Sequence, residues 1–244
     1  MKALLMVLKR ELTPGKILIT VLTSALMALI LSLVFLFGYQ PTSTPSMAKV
    51  IYSGMIVFIS VLYTLLLSFQ QHNQLLNNPP YRINYLTTGV SLPILYWGQK
   101  ISTIILAAIA LVSITLIFFI STTLTITFIS GLYFILFLMI SSIMVIALAA
   151  LIKYFINKFN HIEYNVYFIL FILLLCSGFT YKTDFFPKFL YMILHYLPFG
   201  IIYSGAQKIL LTNNFSLIET SYVSLLTITL VIINYFLYKR ELGI

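Results

Sequence analysis

The chain has 244 residues, of which 61% are hydrophobic and only 8% are charged. Soluble domains carry roughly 25% charged residues, so this composition excludes an ordinary water-soluble enzyme or binding domain. The net charge of +9 is not gathered on a soluble basic face, which excludes nucleic acid as a partner and favours lipid headgroups.

The first sixteen residues predict an amphipathic helix that lies along the cytoplasmic membrane surface. Four leucines share one helical face, namely Leu4, Leu5, Leu8 and Leu12. Lys9 and Arg10 lie away from that face, and Pro14 breaks the chain before the next segment. The apolar run is too short for a signal peptide and is followed by no cleavage site. A plain basic flank of the first span is the alternative, and the two interpretations are compatible.

A stretch of 52 residues, Ile101 to Ile152, contains no Asp, Glu, Lys or Arg. A helix needs about 20 apolar residues to cross the hydrocarbon core, so this stretch predicts two crossings. Its residues do not alternate polar with apolar, which excludes barrel strands. We therefore predict an all-α polytopic membrane protein, in which residues 17–244 form one domain of six transmembrane helices. The predicted spans are Ile17–Gly38, Val50–Phe69, Ile101–Ser121, Thr127–Ile152, Tyr164–Gly178 and Glu219–Tyr238.

Residues 182–212, between the fifth and sixth spans, predict two short re-entrant helices at the outer face. Pro187 and Pro198 interrupt this apolar segment, and a proline inside a helix costs about 3 kcal/mol. If the segment did cross the membrane, there would be seven spans and the C-terminus would lie outside.

The basic residues favour six spans with both termini in the cytoplasm of a bacterial cell. This topology puts ten Lys and Arg residues on the inner side and four on the outer side, as the positive-inside rule predicts. A seventh span would move Lys239 and Arg240 outside and weaken that bias.

No group of residues predicts catalysis or a metal site in this chain. The five acidic residues lie in loops or at span ends, and no H-E-x-x-H spacing joins the three histidines. Cys176 is the only cysteine, so no internal disulfide forms. No G-x-x-x-x-G-K-[ST] phosphate loop occurs. We expect no cofactor in this chain and no ATP hydrolysis by it.

The inner loop between the second and third spans, residues 70–100, holds a candidate interface. A proline pair can start a helix, so a short helix is predicted to follow and to present Tyr81, Arg82 and Tyr85 to the cytoplasm. Aromatic residues and Arg are the types that anchor protein interfaces. A plain surface connector is the alternative. The candidate interface consists of Asn78, Pro79, Pro80, Tyr81, Arg82, Ile83, Asn84, Tyr85 and Leu86.

Several short motifs of this chain resemble those of the membrane subunits of ABC-2 type ATP-binding-cassette exporters. On the inner side the motifs are Leu86-Thr-Thr-Gly-Val-Ser91 and Gly98-Gln-Lys100. On the outer side they are Ser177-Gly178, Phe186-Pro187, Leu197-Pro198 and the basic Lys208. Two departures are Gly89, where the family often has Pro, and Asn77-Asn78-Pro79, where acidic residues are usual.

The resemblance implies separate ABC ATPase subunits, which bind ATP and Mg and dock on the candidate interface. It also implies a second membrane subunit, alike or different. The expected function is ATP-driven export of amphipathic or lipid-like cargo, in the first place peptides or toxins. One alternative is a non-transport membrane protein, such as a lipid-metabolism enzyme or an assembly factor. The other is an ion-coupled transporter, which usually needs an ionisable group within the membrane.

Overall fold

A computed structural model of the chain describes residues 2–38, 45–121, 127–158, 163–177 and 187–242. All regular structure in these ranges is α-helical, which confirms the predicted all-α membrane protein. The helices in chain order are α1 Lys2–Glu11, α2 Pro14–Gly38, α3 Pro45–Asn77, α4 Pro79–Leu86, α5 Leu92–Ser121, α6 Phe128–Lys158, α7 Glu163–Cys176, α8 Lys188–Tyr196, α9 Pro198–Thr212 and α10 Leu217–Leu242.

In the described ranges, five helices are long and apolar enough to cross a membrane, namely α2, α3, α5, α6 and α10. The predicted fifth span corresponds to α7, a shorter apolar helix of 14 residues. Gly178, the predicted end of that span, lies outside the described residues. The five long helices run further than predicted at one or both ends, namely α2, α3, α5, α6 and α10. The polar run Gln70–Gln74 continues α3, and α5 already begins at Leu92.

Helix α3 lies at the centre of the bundle and packs against α5, α6 and α9. The main apolar cluster joins these helices through buried side chains such as Ile56, Phe137 and Ile202. A second apolar cluster surrounds Val7 and Tyr85 and joins α1 and α4 to the ends of α3, α5, α6 and α10. We call this end of the bundle the α1 end.

The segment after α7 contains two short helices, as the sequence predicts. Helix α8 has nine residues and α9 has fifteen, so each is shorter than the roughly 20 residues of a span. The helical structure is interrupted at Leu197, where the backbone is extended, and α9 begins at Pro198. The two helices approach closely at Gly200, where a Cβ atom would lie 2.0 Å from the Leu194 carbonyl oxygen.

Candidate functional site

Helix α4 forms because a side chain caps its first turn and because few backbone N–H groups in that turn need a partner. The Asn78 side chain accepts a hydrogen bond from the Tyr81 backbone N–H at 3.2 Å. Pro79 and Pro80 occupy the first positions, where a missing N–H costs nothing. Gly89 has a φ of +78°, a conformation closed to proline, and it follows the end of the helix. The departure at Gly89 thus gives this chain a turn that a proline could not form.

Glu11, the last residue of α1, joins α1 to α4. Its Oε1 atom accepts hydrogen bonds from the hydroxyls of Tyr81, at 2.6 Å, and Tyr85, at 2.8 Å. Its Oε2 atom forms an ion pair of 2.8 Å with the Lys16 ammonium. The Gln99 amide of α5 donates to the Tyr81 hydroxyl at 2.7 Å. We call these five side chains the Glu11 cluster; it connects α1, α2, α4 and α5.

The charged form of Glu11 is favoured although the side chain is buried. Burial raises the pKa of its carboxyl, but the hydrogen bonds from Lys16, Tyr81 and Tyr85 and the charge of Lys16 together lower it below the ordinary 4.5. Burial, followed by the hydrogen bond to Glu11, raises the pKa of both tyrosines, which therefore stay neutral donors.

This lowered pKa predicts a pH dependence of stability. The contribution of Glu11 is complete above pH 4.5 and is lost as the pH falls through the lower pKa of the folded state. The unfolding temperatures of the native protein and of Glu11→Gln should therefore converge as the pH is lowered from about 6 to about 3. A constant difference over that range would show that the carboxylate does not titrate in this way.

Helix α1 packs on the start of α5 at Gly98. A Cβ atom there would lie 2.6 Å from Val7 Cγ1 and 3.0 Å from Val7 Cβ, so only glycine permits this approach. Gly98 belongs to one of the motifs that carry the family resemblance.

We expect Gly98→Ala to lower the free energy of unfolding by about 2 kcal/mol, because it overpacks the contact between α1 and α5. Gly131→Ala is the matched control. A Cβ atom there would meet only Phe119, at an ordinary 3.6 Å, and alanine favours a helix over glycine. Thermal unfolding in detergent measures both, and equal unfolding temperatures for the two variants would refute the close approach.

The structure corrects the face that α4 presents to its surroundings. Tyr85, predicted to face the cytoplasm, is fully buried, and the Tyr81 hydroxyl points to Glu11. Arg82 is half-buried, whereas Ile83 is 55% exposed and Leu86 is 44% exposed. The reason is helical spacing, since Tyr81 and Tyr85 lie one turn apart and meet the same acceptor. The remaining candidate interface residues are exposed, namely Asn78, Pro79, Pro80 and Asn84.

Two lysines lie near the buried His72, namely Lys100, which is half-buried, and Lys153, which is fully buried. The Lys100 ammonium lies 2.8 Å from His72 Nε2 and over the Tyr96 ring, 5.5 Å from its centroid. The Lys153 ammonium donates to the Tyr167 hydroxyl at 3.3 Å. Among the described residues, no three His, Cys, Asp or Glu side chains could hold a metal ion.

At the opposite end of the bundle, the predicted outer motifs are partly described. Ser177 donates to the Leu173 carbonyl and ends α7, Pro187 precedes α8, and Leu197-Pro198 separates α8 from α9. Gly178 and Phe186 lie outside the described residues. Lys208 pairs with Glu219 of α10, with 3.2 Å between Nζ and Oε1. This pair ties the short α9 to α10 and assigns Lys208 a structural contact.

A cavity of about 330 Å³ lies between α3 and α7. Its polar side chains, Gln70, Asn73 and Tyr167, lie towards the α1 end, and no charged residue lines it. The rest of the wall is apolar and consists of Leu62, Leu65, Leu66, Phe69, Leu170, Phe171 and Leu174. The cavity is thus amphipathic along the helix axes.

Residues 6–211 match the sequence profile of the ABC-2 type transporters. The chain belongs to the ABC-2 type transporter family. No curated protein matches it. The match begins in α1 and ends in α9, so it includes the Glu11 cluster, α4 and the α3–α7 cavity.

As an ABC-2 family member, the chain is a membrane-embedded transport subunit of an ABC transporter, and this family membership implies an ABC ATPase as its partner. Membership favours transport over a lipid-metabolism enzyme or assembly factor, and over an ion-coupled carrier. The ABC-2 permease also contains residues that sequence reasoning missed, namely Glu11, Lys16 and Gln99. Glu11 reads as an ordinary charge beside Lys9 and Arg10. The one-turn spacing of Tyr81 and Tyr85 is the sequence feature that indicates a shared hydrogen-bond partner.

Proposed function

We propose that this ABC-2 permease is the transmembrane subunit of an ATP-driven exporter of amphipathic or lipid-like cargo, in the first place peptides or toxins, from a bacterial cell. The observation that carries the proposal is the α3–α7 cavity, which is apolar over most of its length and polar, but uncharged, at one end. An amphipathic molecule loses little hydration energy on entering such a cavity, whereas a charged solute loses much.

The α1 end is cytoplasmic in this proposal, with both termini inside and α8 and α9 at the outer face. ATP and Mg bind to separate ATPase subunits, and two membrane subunits, alike or different, enclose the pathway. Closure of the ATPases pushes on the exposed face of α4. Because the Glu11 cluster joins α4 to α1, α2 and α5, a movement of α4 shifts these helices together.

The experiment that tests the proposal is reconstitution of the permease with its ATPase in lipid vesicles, with nucleotide added outside. Complexes whose ATPase faces outward should then accumulate a fluorescent amphipathic peptide in the vesicle lumen, and should not accumulate a hydrophilic peptide of equal length. Uptake without ATP, or by the permease without its ATPase, would refute the proposal.

A matched pair of variants tests the cavity. Leu170→Trp should reduce ATP-dependent uptake at least fivefold, because the larger side chain fills the cavity, and fivefold corresponds to about 1 kcal/mol. Ile169→Trp is the control, since Ile169 is the neighbouring residue, is 54% exposed and does not line the cavity. Equal uptake by the two variants would place the cargo elsewhere.

A further inference from the structure

A second cavity, of about 370 Å³, lies between α2 and α3 and has no role in the function proposed above. Leu66 and Gln70 line both cavities and so form the ridge between them. The second cavity differs from the first in carrying a basic residue, Lys16, at its α1 end. We call it the α2–α3 groove.

The groove has the length of one membrane leaflet. Lys16 and Gln74, near the α1 ends of their helices, lie at one end, and Met27 lies furthest along α2. At a rise of about 1.5 Å per residue, Lys16 and Met27 are about 16 Å apart along the axis. This is about half of the ~30 Å hydrocarbon core. The groove therefore runs from a membrane surface to near the bilayer centre.

The polar end of the groove suits an anionic headgroup. The Lys16 ammonium carries three donors, and its ion pair with Glu11 leaves 42% of the side chain exposed. The amides of Gln70 and Gln74 line the same end and can donate further hydrogen bonds. A lysine ammonium binds phosphate as a point charge, and neutral donors beside it can add hydrogen bonds.

The remaining wall suits an acyl chain. Ile19 is 62% exposed and Leu66 is 52% exposed, so neither is covered by another described part of the chain. The Tyr63 hydroxyl lies 3.0 Å from Thr23 Oγ1 and donates to the Thr20 carbonyl at 3.4 Å, which holds α2 and α3 together across the groove.

We propose that the α2–α3 groove binds one anionic phospholipid from the leaflet at the α1 end, with its phosphate at Lys16 and an acyl chain along Ile19 and Leu66. Lys16 gives the groove a positive charge that complements an anionic lipid, whereas the cavity proposed for the export cargo has no charged lining. A zwitterionic lipid fills the same apolar wall but brings a positive group to Lys16, which weakens its binding.

The test is native mass spectrometry of the purified permease, titrated with phosphatidylglycerol or with phosphatidylcholine. The native protein should bind phosphatidylglycerol more tightly, and Lys16→Gln should raise its dissociation constant roughly fivefold, the effect of one lysine near an anionic headgroup. Lys16→Arg keeps the charge and should keep the preference. Ile19→Trp, which obstructs the wall and leaves Lys16 in place, should weaken the binding of both lipids.

Lys208→Gln is the matched control, because Lys208 is 48% exposed and paired with a glutamate, like Lys16, but lies at the opposite end of the bundle. It should bind phosphatidylglycerol as the native protein does. Equal affinities of Lys16→Gln and the native protein, or no preference for phosphatidylglycerol, would overturn the proposal. Binding of glycerol phosphate as tight as that of the lipid would also overturn it, since the site would then hold a free phosphate.

One further measurement separates a lipid from a second copy of the chain. Ile19→Cys in a Cys176→Ser background is oxidised in detergent with phosphatidylglycerol present. A disulfide-linked dimer would show that another copy covers the groove and would overturn the proposal. A monomeric product with the lipid still bound supports it. Because these readouts need neither ATP nor cargo, their failure leaves the export function standing.

Discussion

Glu11→Ala is expected to lower the free energy of unfolding by about 3 kcal/mol, the largest effect of any single substitution predicted for this permease. Glu11 is 1% exposed and accepts hydrogen bonds from Tyr81, Tyr85 and Lys16. Alanine removes that acceptor, and the buried hydroxyl of Tyr85 is left without its partner. Denaturation in mixed micelles, followed by circular dichroism, measures the change.

A double-mutant cycle assigns the loss to the Glu11 cluster. Tyr85→Phe should destabilise the native protein by about 1.5 kcal/mol, a typical value for a hydrogen bond to a charged group, and should cost much less after Glu11→Ala. Tyr222→Phe, which alters a tyrosine that is 43% exposed, should change stability by less than about 0.5 kcal/mol. Additive effects of Glu11→Ala and Tyr85→Phe would show that the two side chains do not act together.

The combined substitution Ile83→Asp and Leu86→Asp should weaken binding of the ATPase partner at least tenfold. In the proposed complex these two exposed side chains of α4 enter an apolar contact, where an unpaired carboxylate is costly. A tenfold change corresponds to about 1.4 kcal/mol, a small part of that cost. Co-purification and titration of ATPase with permease in nanodiscs measure the effect.

Two comparisons make this test specific. Asn214→Asp adds a carboxylate to an exposed turn at the other end of the bundle and should leave ATPase binding unchanged. The unfolding temperature of the Ile83→Asp, Leu86→Asp variant should stay near that of the native protein, because both side chains lie outside the apolar clusters. Undiminished ATPase binding would mean that α4 is a surface connector, the alternative that its sequence left open.

Alanine substitutions at Tyr81, Arg82 and Tyr85 are a weaker test of ATPase binding by α4. The sequence predicts these residues as the contact surface, but Tyr85 is buried against α1 and Arg10 lies over its ring, 4.7 Å from the centroid. Removal of the two tyrosines is expected to loosen the Glu11 cluster and lower export even if α4 never touches an ATPase.

The long helices could be predicted from the sequence because the bilayer imposes length and polarity on each of them separately. The charge-free stretch from Ile101 to Ile152 places parts of α5 and α6, and Pro198 places the break before α9. Helix ends were harder to predict. The polarity of the run Gln70–Gln74 predicts a loop, yet glutamine is a good helix former and α3 continues through it.

The candidate site was only partly predictable, since its contacts join residues far apart in the chain. Glu11 and Tyr85 are 74 residues apart, and Tyr81 and Gln99 meet from different helices. A sequence pattern shows that Tyr81 and Tyr85 share a face of α4, but it does not show which helix covers that face.

The sequence by itself determined that this chain is a helical membrane protein, because hydrophobic length and backbone hydrogen bonding within each helix are local properties. The tertiary structure decided which side of α4 is buried, which helices meet at Glu11 and where α3 leaves space beside α2 and α7. Packing is the physical reason: the position of each helix depends on the shapes of its neighbours, and a single close contact such as Val7 against Gly98 sets how near two of them come.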